Sequence, residues 1–225
     1  MNERKYYQAY DDRYRQAHEK ELRWFAKNPT PIVGEMIRAF SIPKEHRLLE
    51  IGCGEGRDAI PLLRDGYDLL ATDVSEEAIA YCRAQEPTYA SAFATFDCIT
   101  EDLQETFDFI YAVAVVHMLV LDEDRNAFYQ CLHRHLKKDG IALVCSMGDG
   151  EVERQSDVRT AFSLQERIHE ATGTPLQIAS TSCRMVTFPT FREEIRRNGL
   201  SILKEGITTA LPDFSQMMYA VVRKA

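Results

Sequence analysis

Arg47-Leu48-Leu49-Glu50-Ile51-Gly52-Cys53-Gly54-Glu55-Gly56-Arg57-Asp58 is a short apolar run that ends in an acid and three alternating glycines. The apolar run reads as a buried strand, and the residues after the glycines read as a helix. A tight, glycine-rich turn between a first strand and its helix is where open α/β sheets bind ligands. Glycine lets the backbone turn sharply and approach a ligand with no Cβ in the way. Two nucleotide classes compete for such a loop. A dinucleotide fingerprint needs a small residue three places after its second glycine, and that position is Arg57. A Walker loop needs a closing Gly-Lys-Ser or Gly-Lys-Thr, which is missing. A strand closing on Glu50 suits a ligand that carries a positive amine and sulfonium.

Outward from this loop the pattern alternates. It predicts a helix over 57–65, strand 67–72, helix 76–84, a short strand near 92–96, strand 107–113, helix 123–136 and strand 140–145. Strands separated by helices of this length imply a parallel sheet wound by right-handed crossovers. Upstream, residues 3 to 27 predict a helix with an aromatic stripe, stopped by Asn28-Pro29-Thr30-Pro31, and a second helix follows to about Phe40. After Gly148 the rhythm breaks into a polar stretch with a helical segment predicted near 164–172. The tail predicts helix 190–198 and strands 200–205 and 216–222 as an antiparallel pair. The expected organisation is a helical lid over 1–45, a cofactor-binding core over 46–148, an insertion or second lid over 149–188, and completion of the sheet over 189–225.

Asp73 closes the second strand, where a carboxylate accepts ribose hydroxyls; Ser75 is the better cap for the helix that begins at Glu76. Asp97, after the third strand, is a candidate acceptor for an adenine amino group, beside Cys98. The composition is that of an ordinary globular protein, 45% apolar and 28% charged. A net charge of -8 with pI near 5.3 works against a nucleic-acid partner, because phosphate-backbone binding needs clustered Lys and Arg. The six scattered cysteines show no two-residue pairing and read as reduced thiols. The longest apolar run, Phe109 to Leu121, is too short to span a bilayer, and no signal-peptide pattern opens the chain, so a cytoplasmic location is expected.

In order and spacing, LLEIGCGEGRDA, LLATDVS, FDC, FDFIYAVAVVHML and LKKDGIALV resemble the motifs of class I S-adenosylmethionine-dependent methyltransferases. The extension Gly56-Arg57-Asp58-Ala59, with Leu62-Leu63 and Gly66-Tyr67, resembles the thiopurine and tellurite-resistance branch. The resemblance implies a doubly wound, mostly parallel seven-stranded sheet, the Rossmann-like methyltransferase fold, with the last strand antiparallel. It further implies S-adenosyl-L-methionine as cofactor and S-adenosyl-L-homocysteine as its product form. Glu50, Gly52, Cys53, Gly54 and Gly56 would form the cofactor loop, with Asp73 on the ribose and Val74 against the adenine. Asp97 and Cys98 would hold the adenine edge, and Ala112 would face the methionine amine. Tyr10, Tyr14, Arg57, Met147 and Met185 are candidate lid and acceptor residues.

The implied reaction is methyl transfer to a nucleophilic atom of a small molecule. The alternative is a non-catalytic S-adenosylmethionine-binding sensor or partner subunit, and a third reading is an NAD-dependent oxidoreductase. Where DNA amino-methylating enzymes carry Asn or Asp with Pro-Pro and an aromatic, this chain has Ala112-Val113-Ala114-Val115. His117 is a candidate base, although a histidine in an apolar stretch is more often a packed one. His133 and His135, two apart on a helix, make a poor metal pair, and no metal is expected. A membrane partner is not expected, and the assembly is read as monomer or homodimer.

Overall fold

The computed structural model describes residues 4–25, 28–169, 171–209 and 214–225. A single helical turn at Tyr6–Gln8 leads into α1 (Ala9–His18), and α2 spans Pro31–Ala39. The alternating section follows as β1 (Arg47–Ile51), α3 (Ala59–Arg64), β2 (Asp68–Asp73), α4 (Glu76–Gln85), β3 (Phe93–Thr95), β4 (Phe107–Val113), α5 (Asp122–His135) and β5 (Leu136–Met147). Beyond it come β6 (Arg154–Gln155), β7 (Leu164–Ile168), β8 (Pro175–Ala179), β9 (Arg184–Met185), α6 (Phe188–Arg197), β10 (Leu200–Thr208) and β11 (Met217–Lys224).

The main sheet has seven strands in the order β10-β11-β5-β4-β1-β2-β3. The pairs β1–β2, β1–β4, β2–β3 and β4–β5 are parallel, and β11 runs antiparallel to both β5 and β10. This is the doubly wound sheet with an antiparallel last strand that the motifs predict. Both faces are covered, so the central strands read as nearly continuous apolar runs. Along β4, Ile110 and Ala112 face a core shared with Phe128 and Leu132 of α5 and Phe191 of α6. Tyr111 and Val113 face the opposite core, with Ile32 and Met36 of α2, Leu63 of α3 and Ile79 of α4. The two-residue period of the strand sorts them.

Local chemistry sets the helix ends. Ser75 caps α4, its hydroxyl accepting from the Ala78 N–H at 3.1 Å. Asp122, Glu123 and Asp124 occupy the first turn of α5 and His133, Arg134 and His135 its last, matching the helix dipole at each end.

Two expectations need correcting. The helical segment near 164–172 is instead strand β7, paired antiparallel with β8. Leu164, Gln165, Glu166 and Arg167 are good helix formers, but Gly173, at φ 71, and Pro175 turn the chain back. β8 then docks on α1: the Arg13 guanidinium donates to the Ala179 carbonyl at 3.0 and 2.7 Å, and the Ala179 N–H donates to Gln16 at 2.7 Å. Tertiary pairing thus overrides local propensity. The single helix over 3 to 27 is also shorter than expected; residues 1–3, 26 and 27 lie outside the described residues. The helix stops at His18, where the Leu22 N–H bonds back to the Ala17 carbonyl and Glu21 adopts φ 58, reversing the chain.

Candidate functional site

At the carboxyl ends of β1, β2, β3 and β4 lies a cleft of about 900 Å³, counting its open mouth. Its floor is the glycine loop. The Gly52 and Cys53 N–H groups donate to the Thr72 carbonyl at 2.8 and 2.9 Å, fastening the loop to β2. Gly54 has φ 52, and a Cβ there would stand 2.6 Å from the Tyr14 hydroxyl. Gly52 has φ 76, and a Cβ would stand 2.3 Å from the Val115 side chain. The glycines thus admit a positive φ and close covering side chains at the same positions.

Carboxylates line the cleft, and each is held by donors of the chain. Asp73 accepts from the Gly54 N–H at 2.8 Å and the Ser75 N–H at 2.9 Å, which leaves lone pairs on both oxygens for further donors. Burial pushes its carboxyl up to about 6. Glu50 accepts from the Tyr111 hydroxyl at 3.0 Å. Burial, with the neighbouring Asp58 carboxylate, holds the Glu50 carboxyl well above the usual carboxylate range. A cationic ligand beside it would reverse that and restore the carboxylate. Asp97 accepts from the Tyr7 hydroxyl at 3.0 Å and, through its other oxygen, from the Ile99 N–H at 3.0 Å. Asp58 accepts from the N–H and hydroxyl of Thr30, the cap residue of α2.

The N-terminal segment closes over this floor. Tyr7, Tyr10, Tyr14 and Phe25 line the cleft. The segment is tied at both ends and in the middle. The Tyr6 hydroxyl donates to Asp124 and accepts from the Val120 N–H at 2.8 Å. Asp11 accepts from the Ser75 hydroxyl at 2.8 Å and the Glu77 N–H at 3.1 Å. The Trp24 and Phe25 N–H groups donate to Glu55 at 2.8 and 2.9 Å.

The structure brings Glu50, Gly52, Cys53, Gly54, Asp73, Val74, Asp97 and Cys98 together on the cleft wall, joined by Tyr10, Tyr14 and Arg57. It places others elsewhere. Gly56 lies behind the loop, where a Cβ would meet Ile60 at 2.9 Å and Cys82 at 3.1 Å, so this glycine serves packing of α3 and α4. Ala112 points into the core under α5, and Val113 and Ala114 line the cleft in its stead. Ala114 holds φ 62, a strained value for a non-glycine residue, at the end of β4. Met147 and Met185 also lie off the cleft wall. His117 is buried beside Phe214 and accepts from the Met147 N–H at 3.3 Å. Burial, aided by the Arg125 charge, lowers its pKa to about 3, and its neighbour Met118 reaches the cleft instead.

Sequence reading missed Glu55, Tyr7 and Phe25. Glu55 reads as a loop acid, and only the fold shows it gathering N–H groups from 30 residues upstream. Among the described residues no cluster of His, Cys, Asp and Glu is arranged to hold a metal ion, and no helix is long and apolar enough to cross a membrane.

Comparison with known proteins agrees with this geometry. Residues 49–142 match the Methyltransferase domain family. The chain is 29% identical over 129 residues to the "Probable S-adenosyl-L-methionine-dependent methyltransferase TehB" of Haemophilus influenzae, a match covering 56% of this chain and 45% of that protein. The chain therefore spans about half the length of the curated relatives it matches. Among solved structures, the CcbJ methyltransferase of Streptomyces caelestis superposes with a TM-score of 0.71 at 14% identity, covering 99% of this chain and 100% of that one. A TehB-like methyltransferase of Corynebacterium glutamicum superposes at 0.59 and 22% identity, covering 96% of both. At these identities the structural likeness speaks for the fold alone. With its glycine loop, its strand order and these relatives, the chain carries the Rossmann-like methyltransferase fold, and its residues 49–142 are similar to the methyltransferase domains of S-adenosylmethionine-dependent enzymes, TehB among them.

Proposed function

We propose that the protein transfers a methyl group from S-adenosylmethionine to a nucleophilic atom of a small molecule, within the cleft roofed by residues 6 to 25. The observation that carries this reading is the enclosure itself. Segment 6–25 is fastened across the ends of β1 to β4 by Tyr6, Tyr7, Asp11 and the N–H groups of Trp24 and Phe25. Such a roof admits a small acceptor far more readily than a folded macromolecule, and the -8 charge is adverse to nucleic acid.

The donor chemistry of the cleft fits the cofactor. Asp73 would take the ribose hydroxyls on its remaining lone pairs, and the 52–54 backbone would lie under the methionine portion. Val74 and Cys98 would flank the adenine, with Asp97 at its edge. Glu50 would meet positive charge. When bound, the cofactor supplies a methyl group already activated on a sulfonium. The chain then has to align the acceptor and exclude water, a role for Tyr10, Tyr14 and Phe25, which line the cleft from the covering segment. No side-chain base is assigned. His117 is neutral at physiological pH but accepts from the backbone and lies behind the cleft wall.

Calorimetric titration with S-adenosylhomocysteine, followed by transfer of labelled methyl to a metabolite extract, tests the reading. Binding with product formation supports it. Binding without product points to the sensor alternative, and absence of binding overturns the cofactor assignment.

A further inference from the structure

His18 ends α1, and its ring lies between two carboxylates of different elements. Nδ1 is 2.7 Å from Glu77 of α4, and Nε2 is 3.0 Å from Glu55 of the glycine loop. The ring stacks on Tyr81 at 4.6 Å. Ionised carboxylates only accept hydrogen bonds, so both ring nitrogens must donate, and only the imidazolium does that. Removing one proton leaves a nitrogen lone pair facing a carboxylate oxygen.

The Glu55 oxygen that His18 meets also accepts from the Trp24 N–H, and its second oxygen accepts from the Phe25 N–H. One buried carboxylate therefore joins the charge on α1 to the far end of the covering segment. Tyr14 faces the ring from α1 at 6.2 Å. Arg23 approaches from the returning chain, 3.9 Å from the Glu55 carboxylate and over the Tyr81 ring. Asp11, 2.8 Å from Ser75, anchors the same helix to the α4 cap. Burial works against the charged ring, but the hydrogen bonds to Glu55 and Glu77 outweigh it and raise the His18 pKa above the ordinary histidine value.

We propose that His18, Glu55 and Glu77 form a proton-operated latch that holds segment 6–25 closed over the cleft and loosens it when His18 loses its proton. Its consequence for ligand exchange rests on the reading of the cleft as the cofactor site. The direction follows from linkage. A histidine whose pKa is higher in the closed state favours closure at low pH, and that preference is lost as pH rises through the closed-state value.

Trp24 is the only tryptophan in the chain, so its fluorescence reports the latch directly. Acrylamide quenching of the ligand-free protein, followed from about pH 5.5 to about pH 8.5, should be low at the acid end and rise in one step. His18→Phe keeps a ring to stack on Tyr81 but carries no proton; it should quench at the high level throughout. Glu77→Gln removes one of the two carboxylates and should move the step to lower pH, which keeps the test open if His18→Phe does not fold. In parallel, the dissociation rate of S-adenosylhomocysteine should rise severalfold across the same step, because the protonated ring no longer opposes opening.

Flat quenching in the wild-type protein overturns the latch. So does a step that survives at the wild-type midpoint in both variants, which would belong to another group such as Asp73. A histidine-dependent quenching step without any S-adenosylhomocysteine binding would leave the latch standing and sink the cofactor reading.

Discussion

Asp73 and Gly54 meet in one hydrogen bond, and both are open to single-residue tests. Asp73→Ala should weaken S-adenosylhomocysteine binding by about 1.5–3 kcal/mol, the range for hydrogen bonds to a charged acceptor. Calorimetric titration of the folded variant reads it, and unchanged affinity would remove Asp73 from the site. The same carboxyl sets a pH dependence. Because burial pushes it up to about 6, it is ionised above that pH and protonated below. A protonated carboxyl has fewer lone pairs for ribose hydroxyls, so affinity should fall as pH drops through about 6 and hold steady above it. Titrations on either side of that value, compared with Asp73→Asn, would check the sign. Gly54→Val combines a positive φ with a Cβ placed 2.6 Å from the Tyr14 hydroxyl. The strained backbone alone costs about 1–3 kcal/mol. We expect a lowered melting temperature and loss of cofactor binding; a variant that binds normally would mean that Tyr14 and the loop part without consequence.

The covering segment is both roof and core. Reading the sequence alone separates two outcomes for its deletion, a stable sheet domain without a lid or an aggregating remnant. The packing favours the second. Tyr6, Tyr7 and Ala9 belong to the core under α5 and α6, and Tyr14 is 3% exposed. Each large side chain contributes about 1.5–3 kcal/mol through burial, so removing residues 1–25 should give a protein that aggregates or melts early. Circular dichroism melting of the truncated chain decides: a soluble, cooperatively melting product would show that the segment is separable. The β7–β8 hairpin depends on the same segment, since Arg13 donates to the carbonyls of Ala179 and Ser180. The roof is therefore assembled from two distant stretches, one before the sheet and one inserted after β5.

Across the molecule, the cleft wall is braced from behind by a buried ion pair. Arg125 of α5, fully buried, meets both carboxylate oxygens of Glu194 of α6 at 2.6 and 2.7 Å. Its other nitrogen donates to the carbonyls of Val116 and Leu119, the turn whose residues Met118 and Leu119 line the cleft. Arg125→Ala should destabilise the protein by about 3–5 kcal/mol, because Glu194 is left buried and unpaired. Replacing both partners with apolar residues of similar volume should cost far less. Urea unfolding of the single and double variants measures the difference, and equal losses would argue against the ion pair as the cause.

The sequence by itself determined the sheet and its ligand end. Alternating apolar runs and helical stretches carry their own periodicity, and the 50–56 loop and Asp73 are short-range features whose meaning depends on a strand before and a helix after. The close spacing of the last two strands predicted that they pair antiparallel with each other, while the antiparallel run of the last strand in the sheet was what the family resemblance implied. Only the tertiary structure decided that Ala112 faces α5 while Val113 and Ala114 face the cleft, because a one-residue change in strand register exchanges the two faces. Only it decided that helix formers at 164–167 make a strand, since that choice depends on β8 and α1 lying alongside. Glu55 and His18 were illegible for the same reason. Their partners stand 30 or more positions away in the chain, and a carboxylate's role is fixed by which donors the fold brings to it.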